Sequence, residues 1–563
     1  MFRALIVYGI AAFAVLQIIE PIMHGLHWPD EVLSYVVVAL GIGFPIVVGF
    51  AWVFDVNEGR IERTAGAPSS GRGRIALALA GVGVLAAAPG LVWYFVLRAR
   101  PGPAAPAPVA PSIAVLPFVN LSSDKEQDYF SDGLSEELLD LLAKVPGLRV
   151  AARTSAFAFK GKNENIGEIA EKLHVKTVLE GSVRKAGDQI RVSAQLIEAA
   201  GGYHLWSETY ERKVTDVFAL QDDIARAVVG ALKLRLLAAP TSKDRRTANT
   251  EAYNEYLLGK RFFHLNNIPG FLRAVQAYEK SVALDPGYAP AWAGLALSRF
   301  WYGQETETVA AVREWQERAL AAADKAIALG LDLPDGYLAR GFIRSTFVWD
   351  WEGARRDLDR AVELDPEDAE VLSADAALPR ALGKLPKAIA LFRKATDLDP
   401  LNARTWSSLG STLIFDGQLA PARAALERSL EISPEQNYTA AWLAVSFLLD
   451  GQPAKALETS QRASHEVFRL QGAAFANHDL GRAKESQQAL DQLTAKYSHD
   501  AAYQIATGHA WRGDKERAFE WLERAFQQHD GGLSLVKVDP MLRKIRGDPR
   551  YSALLEKMNL PRD

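Results

Sequence analysis

A period of 34 residues constrains the fold of this chain more than any other feature of its sequence. The pairs Asp365-Pro366, Asp399-Pro400 and Ser433-Pro434 recur at that spacing, and Asp285-Pro286 stands upstream in the same role. Ahead of each proline a small, a bulky and a small residue repeat: Ala274, Tyr278 and Ser281; Ala354, Leu358 and Ala361; Ala388, Phe392 and Ala395; Ala422, Leu426 and Ser429. Small residues let two helices approach and the bulky one fills the gap between them. Each unit therefore reads as a helix pair closed by a proline that cannot continue the second helix. A pair of this size cannot bury its apolar face alone and must stack on its neighbours.

With Trp406, Leu409, Gly410 and Gly417 added, the pattern resembles the tetratricopeptide repeat. Less regular units carry Ala456, Ser460 and Ala463, then Ser486, Leu490 and Leu493, then Ala518, Leu522 and Ala525. They extend the array to about eight units over residues 252–535, the second with an insertion around Gly303 to Trp315. Residues 536–563 predict a closing helix over the last apolar face. In this register the inner wall offers Arg380, Arg404, Ser407, Tyr438 and Ala441 to a protein or peptide partner, while Trp292, Trp406 and Trp442 read as packing between helices.

The first hundred residues differ sharply. Val32–Phe54 and Ile75–Leu97 are uncharged apolar runs of 23 residues each, enough as helices to cross a hydrocarbon core of about 30 Å. A shorter run, Ala4–Ile19, predicts a third span if it extends toward Met23. Arg60, Arg63, Arg72 and Arg74 mark the loop Asp55–Arg74 as cytoplasmic, against a first loop, Met23–Glu31, with neither Lys nor Arg. Arg98 and Arg100 oppose that orientation, two cations against four. The expectation is a membrane segment over residues 1–100 held in the lipid bilayer of a bacterial inner membrane, with everything beyond it periplasmic. Pro101–Pro111 is a Pro/Ala-rich linker with the composition of a stiff spacer.

From Ser112 the pattern becomes mixed. SIAVLPF reads as a strand, SDGLSEELLDLLAKV as a helix, RVAARTSAFAF as a strand and NIGEIAEKLHV as a helix. TVLEGSVRKAGDQIRVSAQLIEA reads as a hairpin turning at Gly187, HLWSETYER as a further strand and FALQDDIARAVVGAL as a closing helix. These segments, with YFSDGLSEEL, resemble the TolB-N-terminal-like, or FlgO-like, domains of bacterial signalling proteins, which occur beside class III adenylate cyclase and winged-helix modules. The resemblance implies an α/β domain over residues 112–236, followed by a linker at 237–251, and a role in signalling or envelope assembly. Only Met1, Phe2 and Arg3 precede the first apolar run, so no effector domain is expected there. The predicted fold class is multi-domain: amino-terminal transmembrane α-helices, an α/β TolB-N-like domain and a carboxyl-terminal all-α tetratricopeptide superhelix.

Composition excludes some chemistry. Sixty-four Lys and Arg against 68 Asp and Glu give a net charge of −4, which lacks the basic excess that binding to nucleic acid favours. Without any Cys there is no thiolate metal site and no cysteine nucleophile. His24 and His27 stand just before a membrane-loop Trp and read as interfacial, His465-Glu466 lacks the second His of a zinc-protease helix, and Asp222-Asp223 and Ser135-Glu136-Glu137 read as solvated helix faces. No catalytic, cofactor or metal residue is predicted. The expected function is a non-catalytic, membrane-anchored scaffold that binds a protein or peptide. The alternative is a cyclase-type receptor or enzyme-complex subunit that needs a separate cytoplasmic effector.

Overall fold

The computed structural model describes residues 111–232, 246–303, 309–436 and 438–561, together with residues 8, 10–15, 40, 54–57 and 60–63 ahead of them. The chain divides into two compact units, Met1–Val109 and Ala110–Asp563. In the first, β1 (Phe54–Asn57) pairs antiparallel with β2 (Arg60–Arg63), and the Tyr8 hydroxyl donates to the carbonyl of Leu40.

The transmembrane helices expected at the amino end are corrected here, and with them the placement in an inner membrane with periplasmic domains. Among the described residues no helix is long and apolar enough to cross a membrane. Phe54, read as the end of the second run, begins a strand, and Arg60 and Arg63 of the supposed basic loop lie in its hairpin partner. Most of the runs Ala4–Ile19, Val32–Phe54 and Ile75–Leu97, the linker Pro101–Ala110 and His24 and His27 lie outside the described residues.

The second unit begins with a mixed sheet of order β5-β3-β6-β7-β8, with β4 (Val119–Asn120) also on β6. β3 (Ser112–Val115) runs parallel to β5 (Arg149–Val150) and β6 (Thr177–Ala186), whereas β6, β7 (Gln189–Glu198) and β8 (His204–Lys213) are antiparallel neighbours. The hairpin between β6 and β7 turns at Gly187, whose φ of +60° a side chain would resist. Every residue of β3 is buried because both faces are covered. Ile113 and Val115 meet α1 (Asp128–Ala143) and α4 (Val217–Ala231) on one face, and Ala114 and Val178 meet α3 (Ile166–Lys172) on the other. RVAARTSAFAF is a strand only over its first two residues. Beyond Ala152 it becomes α2 (Arg153–Phe157), since its alternating pattern is short enough for a helical turn and Ser155 is anchored elsewhere in the molecule.

Helix pairs follow: α5 (Thr250–Phe263) with α6 (Ile268–Leu284), α7 (Ala289–Gly303) with α8 (Val309–Leu329), and α9 (Pro334–Ile343) with α10 (Trp351–Leu364). Next come α11 (Ala369–Ala381) with α12 (Leu385–Leu398), α13 (Ala403–Phe415) with α14 (Leu419–Ile432), and α15 (Thr439–Leu449) with α16 (Pro453–Ser460). The last two are α17 (Glu466–Asp479) with α18 (Ala483–Tyr497), and α19 (Ala502–Arg512) with α20 (Lys515–Gln528).

The repeating residues explain the pairing. At Gly410 of α13 a Cβ would lie 2.5 Å from Leu426 of α14, so only glycine admits the bulky residue of the second helix. The indole N–H groups of Trp292 and Trp406 each donate to the proline carbonyl six residues earlier, Pro286 and Pro400, at 3.0 Å. Each Trp thus fixes the turn by which its helix enters the stack. The hydroxyls of Ser281 and Ser429 donate across their pairs to the carbonyls of Ala252 and Ala403 at 2.8 and 2.7 Å.

The stack then returns on itself. After α9 a π turn, Arg344–Val348, ends at Trp349 in the left-handed conformation. Trp349 stacks on Phe526 and on His529, also left-handed, with centroids 5.0 and 5.2 Å apart, so the third unit meets the end of the eighth. The chain continues through two 3-10 segments, Gly531–Leu535 and Pro540–Ile545, into α21 (Pro549–Lys557). Leu542, Ile545, Tyr551, Leu554 and Met558 share a core with Leu338 and Leu358 of the third unit and Leu522 of the eighth. The Trp351 indole donates to the Met558 carbonyl at 2.7 Å.

Candidate functional site

Two surfaces of the second unit hold polar groups that packing alone does not require. One is the wall formed by the first helix of each pair. The other is the seam between the α/β module and the array.

On the wall, the five residues expected to face a partner fall into different settings. Arg404 is exposed at the start of α13 and lies 3.8 Å from the equally exposed Glu370. Tyr438 is 53% exposed, stands in the left-handed region at φ +68° ahead of α15, and meets Phe468 edge to face at 4.8 Å. Ala441 is half-buried. Ser407 is buried and accepts a hydrogen bond from the Thr439 hydroxyl at 2.8 Å. Arg380 is half-buried, with its guanidinium 5.4 Å above the Phe392 ring; its Nε has no hydrogen-bond partner among the described residues, and burial pushes its pKa down. Part of the wall is already covered: Tyr503 of α19 donates to the buried Asp539 at 2.8 Å, and Met541 joins Ala376 of α11 and Phe475 of α17 in one cluster.

The seam was not foreseen. Glu136, read from the sequence as a solvated helix face, is 7% exposed. Its carboxylate takes Arg153 Nε at 2.8 Å, Lys260 Nζ at 2.9 Å and His264 Nε2 at 3.5 Å. Helices α1 and α5 approach this closely because Gly133 faces Leu257, whose side chain lies 2.5 Å from where a Cβ would stand. Burial would raise the pKa of Glu136, but Arg153 and Lys260, with His264, outweigh it and hold the carboxyl well below its usual range. Burial pulls Lys260 down, and Glu136 together with Tyr256, Asp140 and Glu137 more than reverses this. The adjacent Glu137 goes the other way, to about 7, through burial and the neighbouring Asp140 and Glu136, against the pull of Lys260.

An aromatic layer continues the seam inward. Phe218 meets Tyr253 at 4.8 Å, Gln221 donates to the Tyr253 hydroxyl at 3.0 Å, and Tyr256 packs against Tyr278 and Tyr288. The module also reaches the middle of the array. The Ser155 N–H and hydroxyl both donate to the buried Asp399, and the Leu401 N–H donates to Ser155 Oγ at 2.9 Å. The signal for the seam was present in α5: Lys260 stands at the buried spacing of Tyr253, Tyr256 and Leu257, where a cation needs a partner.

Comparison with known proteins divides the chain at the same place. Residues 109–227 match a family described as the second domain of HilA/YgeH-like transcriptional regulators, and residues 403–436 match the tetratricopeptide repeat. The tetratricopeptide repeat is therefore present, and the α/β module is similar to the HilA/YgeH-like domain rather than to the TolB-N-terminal-like domain expected. A protein of Rhizobium meliloti (strain 1021) named "Putative adenylate cyclase 3" is 41% identical over 203 residues, 36% of this chain and 34% of that protein. The chain thus matches about a third of the length of that relative. Among solved structures, a thermophilic tetratricopeptide protein of Thermus thermophilus has 19% identity and a TM-score of 0.30, covering 35% of this chain and 99% of that one. Pseudomonas aeruginosa PilF has 18% identity and a TM-score of 0.31, covering 38% of this chain and 93% of its own.

Proposed function

We propose that the chain is a protein-interaction scaffold in which the tetratricopeptide array, braced by the α/β module, binds a protein or peptide at the first helices of the fourth to sixth units. Tetratricopeptide helices commonly present such a wall to an extended partner. The observation that carries the reading is Tyr438: an aromatic residue held in a left-handed conformation, half exposed, beside Phe468. Strain of that kind costs roughly 1–3 kcal/mol and persists where the surroundings impose it, often at binding sites. Arg404 supplies an exposed cation on the preceding first helix. Arg380 and Ala441 border the surface, and Ser407 supports it from beneath through Thr439.

The test places a photocrosslinking amino acid at Tyr438 or at Arg404 in cells, with Glu211 on the module's sheet as the comparison position. Capture of one protein at the first two positions and not at the third supports the reading; equal capture at all three, or none, overturns it. The relative named as a cyclase favours a second reading, a subunit of a cyclase-type complex that acts with a separate effector. Turnover of nucleoside triphosphate by the purified chain alone would sink both readings.

A further inference from the structure

The seam between α1 and α5 encloses a cavity of about 210 Å³. At about 30 Å³ per water this is room for roughly seven waters, or a small organic molecule. Its lining is uneven in charge: Arg153, Lys160, Lys260 and Arg261 stand against two carboxylates, Asp132 and Glu136. Both carboxylates are already engaged, Glu136 as described and Asp132 by Lys160 at 2.5 Å. Arg261 is exposed and makes no ion pair among the described residues. Glu137 and Asp140 approach Lys260 only at 3.7 and 3.8 Å and do not line the cavity. The remaining wall is His264, which is turned to Glu136, with Gly133, Leu257, Leu265 and Tyr129, and Leu265 is 51% exposed beside the mouth.

We propose that this cavity is a binding site for a small organic anion, its carboxylate or phosphate head met by the cationic lining and its short apolar body seated against Leu257 and Leu265. Two cations in excess of the carboxylates favour an oxyanion, which guanidinium and ammonium groups hold by charge-assisted hydrogen bonds. The walls come from two structural elements, α1 with Arg153 and Lys160 from the module and α5 with its following loop from the array, so an occupant contacts both at once. The site is independent of the protein-binding wall, since it lies at the first unit and not at the fourth to sixth.

Isothermal titration of the full chain with phenyl phosphate tests this, with benzyl alcohol as the neutral counterpart and inorganic phosphate as the head alone. The expected result is one saturable site per chain for phenyl phosphate and none for benzyl alcohol. Inorganic phosphate is expected to bind more weakly; binding as tight as phenyl phosphate would overturn the apolar subsite. Arg261→Glu is expected to weaken phenyl phosphate by about tenfold or more while cooperative unfolding is retained, because Arg261 is exposed and makes no ion pair among the described residues. Absence of saturable binding at low-millimolar concentration overturns the proposal, as does binding by Arg261→Glu and Lys160→Ala as tight as that of the parent chain.

Discussion

The two ends of the repeat array are closed in opposite ways. At the amino end the first unit is covered by a separate α/β module through a seam rich in charge, centred on Glu136 with Arg153 and Lys260. At the carboxyl end the chain covers itself with apolar residues, Leu533, Val536, Leu542, Ile545 and Leu554, set against the third and eighth units. An apolar closure gains from every buried methylene and is indifferent to its partner's charge. A buried ionic one gains little over an apolar replacement, yet loses heavily when one partner is removed, because the other charge is stranded. The carboxyl end is therefore built to stay shut, whereas the amino end rests on charge pairs whose integrity depends on protonation.

The largest expected effect sharpens this contrast at the apolar end. Ending the chain after Asp530 exposes the faces of the third and eighth units that the tail covers. Single buried Leu residues are worth about 2–5 kcal/mol each on truncation to Ala, and several are lost together, against a typical total of about 5–15 kcal/mol. Loss of cooperative unfolding and aggregation on size-exclusion chromatography are expected; a monodisperse, fully helical product would show the tail to be dispensable.

At the ionic end, Lys260→Ala is expected to cost about 3 kcal/mol in urea unfolding, the low end for a broken buried pair, because Glu136 loses one of its two cations and keeps Arg153. The double change Glu136→Leu with Lys260→Met should recover most of that loss. If the single and double variants are equally destabilised, the seam is packed rather than ionic. A smaller effect is expected where the module meets the middle of the array: Ser155→Ala removes both hydroxyl contacts around Asp399 and is expected to cost about 1–3 kcal/mol. A neutral result there would confine the module's grip to the first unit.

The smallest effect is in pH. Glu136 has a folded-state pKa below its unfolded one, so its contribution is present above the ordinary value of 4.5 and is lost as pH falls through the depressed value. Glu137 has the opposite sign: raised from 4.5 to about 7, it favours the fold at low pH and loses that contribution as pH rises through about 7. Glu137→Gln should therefore have a higher Tm than the parent at pH 8, with the difference shrinking steadily as pH falls toward 4.5. A Tm difference that does not vary with pH would remove Glu137 from the seam's electrostatics.

The array was legible because its rule is local. The spacing of Pro366, Pro400 and Pro434 and the small and bulky residues before them specify each pair without reference to distant parts of the chain, and in the fifth unit Trp406 and Gly410 mark the first helix. The β6–β7 hairpin was legible for the same reason, at Gly187. What escaped were the contacts between parts far apart in sequence. Nothing near Glu136 announces Lys260, and a carboxylate pair on a helix usually faces water. Arg153–Phe157 alternates like a strand, but it is helical where Glu136 holds Arg153 and Asp399 holds Ser155, both distant in sequence. The tail read as a closing helix because its apolar spacing is helical, but the destination of that face, on the third unit as well as the eighth, is a property of how the stack winds. On the wall, Arg404 and Tyr438 were placed in the open by register alone, whereas the burial of Ser407 depends on Thr439 of the next unit.

The bond between Ser155 and Asp399 spans 244 residues of chain. During translation at about 5–20 residues per second, the carboxylate that fixes α2 leaves the ribosome roughly 12–50 s after the serine it holds. For that interval the Ser155 N–H has no Asp399 to meet, so this clasp between module and array closes only after the fourth helix pair has been made.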